Sequence, residues 1–195
     1  MLLALVSVFL DLKLDGLAAA LALSFHCFLR TTEVLCLLAG DVVLGNGVGS
    51  VVLRVTKKKE PDIIPISDRL VLYLCSRRKA DCLPGDTFCG VVPQVARNLL
   101  KAALDILGLT SFGYRWYSLR RGGATYFFQR SGSMDLTLKR GRWDSPRTAN
   151  LYITEGILSL HDTKLDLSSR SPMAYFLRKF FARVGDLEGD LLLSR

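Results

Sequence analysis

The chain has 195 residues, half of them apolar, and its 26 Lys and Arg against 18 Asp and Glu give a formal charge of +8. This length and composition predict a globule with one sizeable core and exclude a chain too polar to fold. The basic balance favours a polyanionic partner, either nucleic acid or an anionic membrane surface, and does not choose between them.

The cysteines indicate a reducing environment. There are five, an odd number, and most lie among apolar residues, where a reduced thiol behaves as a small hydrophobic group. Cys75, Cys82 and Cys89 recur every seven residues, but they lack the close cysteine pairs and the histidines of a zinc site. We therefore expect an intracellular protein without a metal.

The first thirteen residues are apolar but do not resemble a membrane anchor. Met1 to Leu10 has no basic flank, and Asp11, Lys13 and Asp15 follow well before a bilayer-spanning length. The segment 1–13 is either a helix that packs on the domain or the remnant of a truncated protein, and we favour the second.

A buried helix comes next in the chain. The Ala/Leu-rich run from Asp15 to Leu29 predicts a helix that is surrounded by other elements. A short second helix is predicted to end at Leu38, with Thr31 or Thr32 as its N-cap and Glu33 in its first turn.

A small hairpin is predicted in the middle of the chain. Residues 39–50 are Gly-rich and turn-like, and the β-branched residues 51–55 predict a strand. Asp62–Ile66 predicts a second strand, short or at an edge because it contains proline. The turn between them carries three lysines: Lys57, Lys58 and Lys59.

The remaining elements are predicted to be helices. They span residues 68–80, 93–107, 118–130, 134–140, 147–153 and the amphipathic stretch 174–184. In the second, the apolar repeat Val95, Leu99, Ala103 and Leu107 defines the expected buried face. In the third, Gly122 and Gly123 would let the backbone approach a neighbour closely. The fold class is therefore α+β, mainly α, with a small antiparallel β-hairpin sheet.

Four motifs stand out by their order and spacing. They are Arg30-Thr-Thr-Glu33, the lysine hairpin, Tyr117-Ser-Leu-Arg120-Arg121 and Gly141-Arg142-Trp143, and Tyr152 follows Trp143 by nine residues. Each residue alone would be interpreted as structural, for example as a surface arginine or a core tyrosine. The joint pattern resembles the catalytic domain of the tyrosine recombinase, or phage-integrase-like, family from about Ala18 to Tyr152.

The resemblance implies a catalytic set and a reaction. It implies that Tyr152 is the nucleophile, that Arg30, Arg120, Trp143 and Tyr117 surround the DNA phosphate, and that Lys57 is the general acid. The family's catalytic-lysine position matches Lys57, although the residues alone leave Lys58 and Lys59 open. DNA contacts are expected from four further cations: Lys58, Lys59, Arg121 and Arg142. The implied reaction breaks and rejoins DNA through a 3′-phosphotyrosine without a cofactor.

These residue types suit that chemistry. A free tyrosine has a pKa of about 10, so attack at neutral pH needs cations that favour the phenolate and stabilise charge on the phosphate. Forked guanidinium groups can clamp two phosphate oxygens, which an ammonium group cannot reproduce. A lysine on a hairpin can protonate the departing 5′ oxygen.

The chain also departs from the family pattern. Tyr117 and Arg121 replace the two histidines of the His-x-Leu-Arg-His motif, and Phe28 and Arg142 replace glycines. A catalytically impaired DNA-binding relic of a mobile element is therefore one alternative. A type IB topoisomerase is another, and a basic membrane-surface protein is a more distant one.

The predicted organisation has three parts. Residues 1–13 form the N-terminal segment, 14–156 the catalytic domain and 157–195 a tail with an amphipathic helix. The resemblance implies a homo-tetramer on double-stranded DNA, in the nucleus or the nucleoid. The last helix would dock on a neighbouring protomer or, equally, pack on its own domain.

Overall fold

A computed structural model describes residues 1–54, 61–162, 168 and 170–192, excluding the side chains of residues 159–162 and 186–192. The chain is mainly helical, with one small antiparallel sheet of strand order β1-β2-β3 among the described residues, so the expected mainly α class is confirmed. The elements are α1 (Leu2–Asp11), α2 (Asp15–His26), α3 (Thr31–Leu35), β1 (Val42–Leu44), β2 (Gly49–Leu53), β3 (Asp62–Ile66), α4 (Arg69–Ala80), α5 (Pro93–Ile106), α6 (Trp116–Ser131), α7 (Met134–Gly141), α8 (Pro146–Asp162) and α9 (Pro172–Leu192).

Helix α2 is the centre of the core, as the Ala/Leu run predicted. All its residues from Gly16 to Ser24 are buried, and it packs against α1, α4 and α6. Small side chains let these neighbours approach closely. At Gly123 of α6, an added Cβ would lie 1.9 Å from the Phe25 carbonyl oxygen. The close approach expected of the glycine pair is therefore made to α2.

The two ends of the described chain pack on each other. Helix α1 contributes Leu5, Val6 and Phe9 to the core and lies against α9. Asp11 at its end forms ion pairs with Lys179 and Arg183 of α9. Segment 1–13 is thus a helix packed on the domain, and α9 packs on its own chain. Helix α8 crosses the expected boundary between residues 156 and 157.

The sheet contains the expected hairpin and one further strand. Strand β2 pairs with β3, with Val51 opposite Ile64, and Pro65 lies on an edge strand as expected. Strand β1 pairs with the other edge of β2. The prediction that all of residues 39–50 are turn-like was wrong, because Val42 and Val51 meet in the core and bring β1 onto the sheet. The three lysines of the hairpin turn lie outside the described residues.

The buried face of α5 was predicted correctly at Ala103 and Leu107 and wrongly at Val95. Val95 is 41% exposed, whereas Ala96, Leu100 and Leu104 are buried together with Ala103 and Leu107. The strict i, i+4 repeat that we used drifts around a helix of 3.6 residues per turn, so a mixed i+3 and i+4 repeat defines the true face.

Two helix boundaries also differ. Helix α3 ends at Leu35, and its N-cap is Arg30, whose backbone N–H donates to the Glu33 carboxylate at 2.6 Å. Pro146, just before the predicted helix 147–153, is the first residue of α8, where its missing N–H costs no hydrogen bond.

Candidate functional site

Three parts of the fold converge beside the C-terminal end of α2: the N-terminal turns of α6, the α7–α8 connection and the middle of α8. Gly123 allows α6 to lie against α2, and at Gly156 an added Cβ would lie 2.0 Å from the Thr125 hydroxyl, so α8 lies equally close to α6. The convergence brings together five of the six residues predicted to be catalytic: Arg30, Tyr117, Arg120, Trp143 and Tyr152. The sixth, Lys57, lies outside the described residues.

Tyr117 and Tyr152 are direct neighbours. Their hydroxyl groups are hydrogen-bonded to each other, and their rings meet edge to face with centroids 5.7 Å apart. The Trp143 ring lies 5.5 Å from the Tyr152 ring. Burial and the hydrogen bond to Tyr152 raise the pKa of Tyr117 to about 12, although Arg120 and Arg121 oppose this rise. Tyr117 therefore stays protonated at neutral pH and can donate a hydrogen bond to the Tyr152 oxygen.

Arg120 is held rigidly behind this pair. It is 2% exposed, its guanidinium lies 4.8 Å from the Trp143 ring centroid, and it donates to the carbonyl oxygens of Phe28 and Gly141. Burial and the nearby charges of Arg30 and Arg142 lower its pKa to about 10. It remains a cation at neutral pH, and three of its five N–H donors are left for a ligand.

Glu33 holds the other two cations. One carboxylate oxygen accepts from the Arg30 guanidinium at 2.6 Å, and the other accepts from Arg142 at 2.8 Å. Burial alone would raise the pKa of Glu33, but the backbone N–H of Arg30 and the charge of Arg142 lower it overall. One buried carboxylate therefore fixes the position of Arg30 relative to Arg142.

Both positions where this chain replaces a glycine of the family pattern have a left-handed backbone. Phe28 has φ of 50° and Arg142 has φ of 54°, values that favour glycine. Packing compensates for the strain. The Phe28 ring stacks on Trp143 with centroids 6.1 Å apart, and Arg142 is bound to Glu33. Both replacements thus keep a backbone conformation that glycine favours.

The predicted DNA-contacting arginines are already engaged. Arg121 forms a 2.8 Å ion pair with Glu155. Arg142 is 13% exposed, and beyond its bond to Glu33 it donates to the Phe28 carbonyl at 3.3 Å. Its Nε and Nη1 atoms are buried without a hydrogen-bond partner among the described residues. Lys58 and Lys59 lie outside the described residues.

Sequence reasoning missed two parts of the site. Glu33 was predicted only as a first-turn residue of the Arg30-Thr-Thr-Glu33 motif and not as a partner of Arg142, and the carbonyls of Phe28 and Gly141 were not predicted to bind Arg120. At Gly141, an added Cβ would lie 2.0 Å from the Trp143 ring, so glycine is needed for this close packing. In the described part of the chain, no group of three or more His, Cys, Asp or Glu side chains could hold a metal, and no helix is long and apolar enough to cross a membrane.

Comparison with known proteins gives the fold. No protein-family model and no curated protein matches the sequence. Among solved structures, the chain is similar to the XerH site-specific recombinase bound to its difH substrate in a pre-cleavage complex. This similarity has a TM-score of 0.59 and 15% identity over 77% of this chain. A post-cleavage complex of XerH with palindromic difH gives a TM-score of 0.60 and 14% identity over 76% of this chain.

The chain has the fold of a tyrosine recombinase catalytic domain. The match covers 48% and 44% of the two XerH chains, so this chain corresponds to about half of the length of that protein. Within this fold, Arg30, Arg120 and Tyr152 lie close together, as the spacing of the motifs predicted.

Proposed function

We propose that the chain breaks and rejoins DNA strands through a covalent 3′-phosphotyrosine on Tyr152, as in site-specific recombination or integration. The observation that carries the proposal is the convergence of Tyr152 with the Tyr117 hydroxyl, the Trp143 ring and the Arg120 guanidinium.

Each neighbour has a role in the attack. The Tyr152 hydroxyl releases its proton to solvent water as its oxygen attacks phosphorus, and the bond to the 5′ oxygen breaks. Tyr117, which stays protonated, donates a hydrogen bond to the developing phenolate. Arg30 and Arg120 stabilise negative charge on the non-bridging oxygens, and the Trp143 indole N–H donates to one of them. Lys57 protonates the 5′ oxygen. The phosphotyrosine stores the bond energy, so rejoining needs no ATP or metal.

The assembly and its location belong to the same proposal. The chain acts as a homo-tetramer on double-stranded DNA, in the nucleus or the nucleoid. Tyr175 and Phe181 of α9 are 50% and 60% exposed, so the helix that packs on its own chain also has exposed aromatic side chains that suit contact with a neighbour.

A suicide-substrate assay tests the proposal. Nicked, labelled duplexes that lose a short 5′ fragment after cleavage trap the covalent intermediate on denaturing gels. Wild type and Tyr126→Phe should form the adduct, because Tyr126 is an exposed tyrosine whose hydroxyl accepts a hydrogen bond from Arg130. Tyr152→Phe should form none. An adduct that survives in Tyr152→Phe would refute the assignment of the nucleophile.

A DNA-binding relic is the second candidate, and the near-complete burial of Arg120 favours it. The Arg120 guanidinium is 2% exposed and donates to two carbonyl oxygens, so it stabilises the fold even when no phosphate is bound. Salt-sensitive DNA binding with no adduct would support the relic. Relaxation of supercoils by the monomer, without strand exchange between duplexes, would instead support a topoisomerase.

A further inference from the structure

A basic cavity of about 510 Å³ lies beside the tyrosine pair. Helix α5 and the segment leading into α6 form its walls. Thr31, which follows Arg30, and Tyr117, which follows Trp116, also line the cavity. Its polar and charged lining side chains are Thr31, Arg97, Lys101, Thr110, Arg115 and two tyrosines, Tyr114 and Tyr117. Since no acidic side chain of the described residues lines it, the cavity is suited to an anion.

The cations of this cavity do not serve the fold. Arg97 and Lys101 are one helical turn apart on α5, where like charges destabilise a helix by a few tenths of a kcal/mol. Within the described ranges, neither of them nor Arg115 forms an ion pair with a carboxylate. All three are exposed. The nearby Asp105 is bound instead to the Thr110 hydroxyl at 2.9 Å. Three such cations around one concave surface are more consistent with binding an anion than with stability.

The cavity is fixed relative to Tyr152. Trp116 is buried, and its indole N–H donates to the carbonyl of Ala96 at 3.3 Å. Ala96 precedes Arg97 and Trp116 precedes Tyr117, so this bond fixes Arg97 relative to Tyr117. The hydroxyl of Tyr117 is in turn hydrogen-bonded to that of Tyr152. An anion bound by Arg97 and Lys101 is therefore held at a defined position next to the reacting hydroxyl.

We propose that Arg97, Lys101 and Arg115 bind the phosphodiester backbone of the DNA strand that flanks the cleaved phosphate. This inference rests on the proposed function and extends it, because it assigns the flanking strand to residues outside the four motifs. The site fixes the register of the strand on the enzyme and carries no sequence information, since phosphate contacts position DNA and base contacts specify it.

The test is the salt dependence of DNA binding, measured by fluorescence anisotropy on the full chain with a labelled duplex. Each lost phosphate contact should lower the slope of log K against log salt by about 0.9, which corresponds to roughly eightfold weaker binding at 0.1 M salt. Lys101→Gln should show one such loss, and Arg97→Gln with Lys101→Gln should show about two. Lys13→Gln is the matched control. Lys13 lies before the N-terminus of α2, whereas Arg30 and the candidate site lie at its C-terminal end.

Three results would overturn the inference. A slope for Lys101→Gln equal to that of the wild type would exclude the cavity, and adduct formation by the wild type in the same preparation would show that the proposed function survives. Equal losses of slope in Lys101→Gln and Lys13→Gln would mean that DNA binding responds only to net charge. Absence of wild-type DNA binding would overturn both proposals. Circular dichroism of each variant verifies folding.

Discussion

Replacing Glu33 by Gln should destabilise the protein far more than its place in a five-residue helix would suggest. The substitution keeps the size of the side chain and one acceptor oxygen, but it removes the charge shared by Arg30 and Arg142. The side chain of Glu33 is 7% exposed and that of Arg142 is 13% exposed, so a nearly buried cation would lose its partner.

The magnitude follows from this burial. Removing one partner of a buried ion pair costs about 3–5 kcal/mol. Two features favour the lower limit. The amide oxygen of the Glu33→Gln variant can still accept one hydrogen bond, and Asp62 lies 3.9 Å from the Arg142 Nε, where it offsets part of the charge without a hydrogen bond. We expect a loss of about 3 kcal/mol, which lowers Tm by about 6–12 °C for a chain of this size.

Urea unfolding at pH 7 measures the loss, with Glu155→Gln as the control. The carboxylate of Glu155 pairs with Arg121 at the surface, where both side chains are at least 30% exposed, so its loss should cost no more than about 1 kcal/mol. Because the pKa of Glu33 is lowered in the fold, its contribution is present above the unfolded value of about 4.3 and is lost as pH falls below it. The difference in free energy of unfolding between wild type and Glu33→Gln should therefore decrease below about pH 4. Equal losses for the two variants at pH 7 would refute the role of Glu33 as an anchor.

Three further predictions concern the backbone and the tyrosine pair. Arg142→Gly should be more stable than Arg142→Ala by about 1 kcal/mol in urea unfolding, because both remove the same ion pair and only glycine favours φ of 54°; equal stabilities would contradict this. Gly123→Ala should lower the free energy of unfolding by at least about 2 kcal/mol, since its Cβ would lie 1.9 Å from the Phe25 carbonyl oxygen. Gly122→Ala, whose Cβ would lie 3.4 Å from the Phe25 ring, should change it by less than about 1 kcal/mol. Similar effects of the two substitutions would exclude close packing of α6 on α2. Because the pKa of Tyr117 is raised to about 12, wild-type stability should fall more steeply than that of Tyr117→Phe between about pH 10 and 12, and parallel alkaline curves from denaturant titrations would refute the shift.

The sequence predicted the parts of the fold that depend on local pattern. The Ala/Leu run of α2 and the β-branched residues of β2 and β3 define elements by composition alone, and the structure contains them. The structure likewise brings three of the four spaced motifs together with Tyr152, because they border the central helix or the helix packed on it. Their chemical roles remain predictions.

The parts that the sequence did not predict depend on tertiary contacts. Strand β1 is too short to be recognised without β2 as its partner. On α5, Val95 and Ala96 are adjacent and both apolar, so the strict i, i+4 repeat selected Val95, whereas packing against the core buries Ala96. The second ion pair of Glu33 joins α3 to Arg142, which is more than one hundred residues away in the chain. Such long-range pairs leave no spacing signal in a single sequence.

The most direct test of the central claim is to map the covalent DNA attachment to a peptide. Tyr117 and Tyr152 share a hydrogen bond, so either hydroxyl is close enough to the other to be mistaken for the nucleophile in a gel assay. Trypsin separates them, because Tyr152 is the one tyrosine in the peptide 148–164 and Tyr117 lies in the peptide 116–120. After trapping with a suicide substrate and digestion with nuclease and trypsin, we expect the residual nucleotide on peptide 148–164. A nucleotide on peptide 116–120, or on neither peptide, would contradict the account.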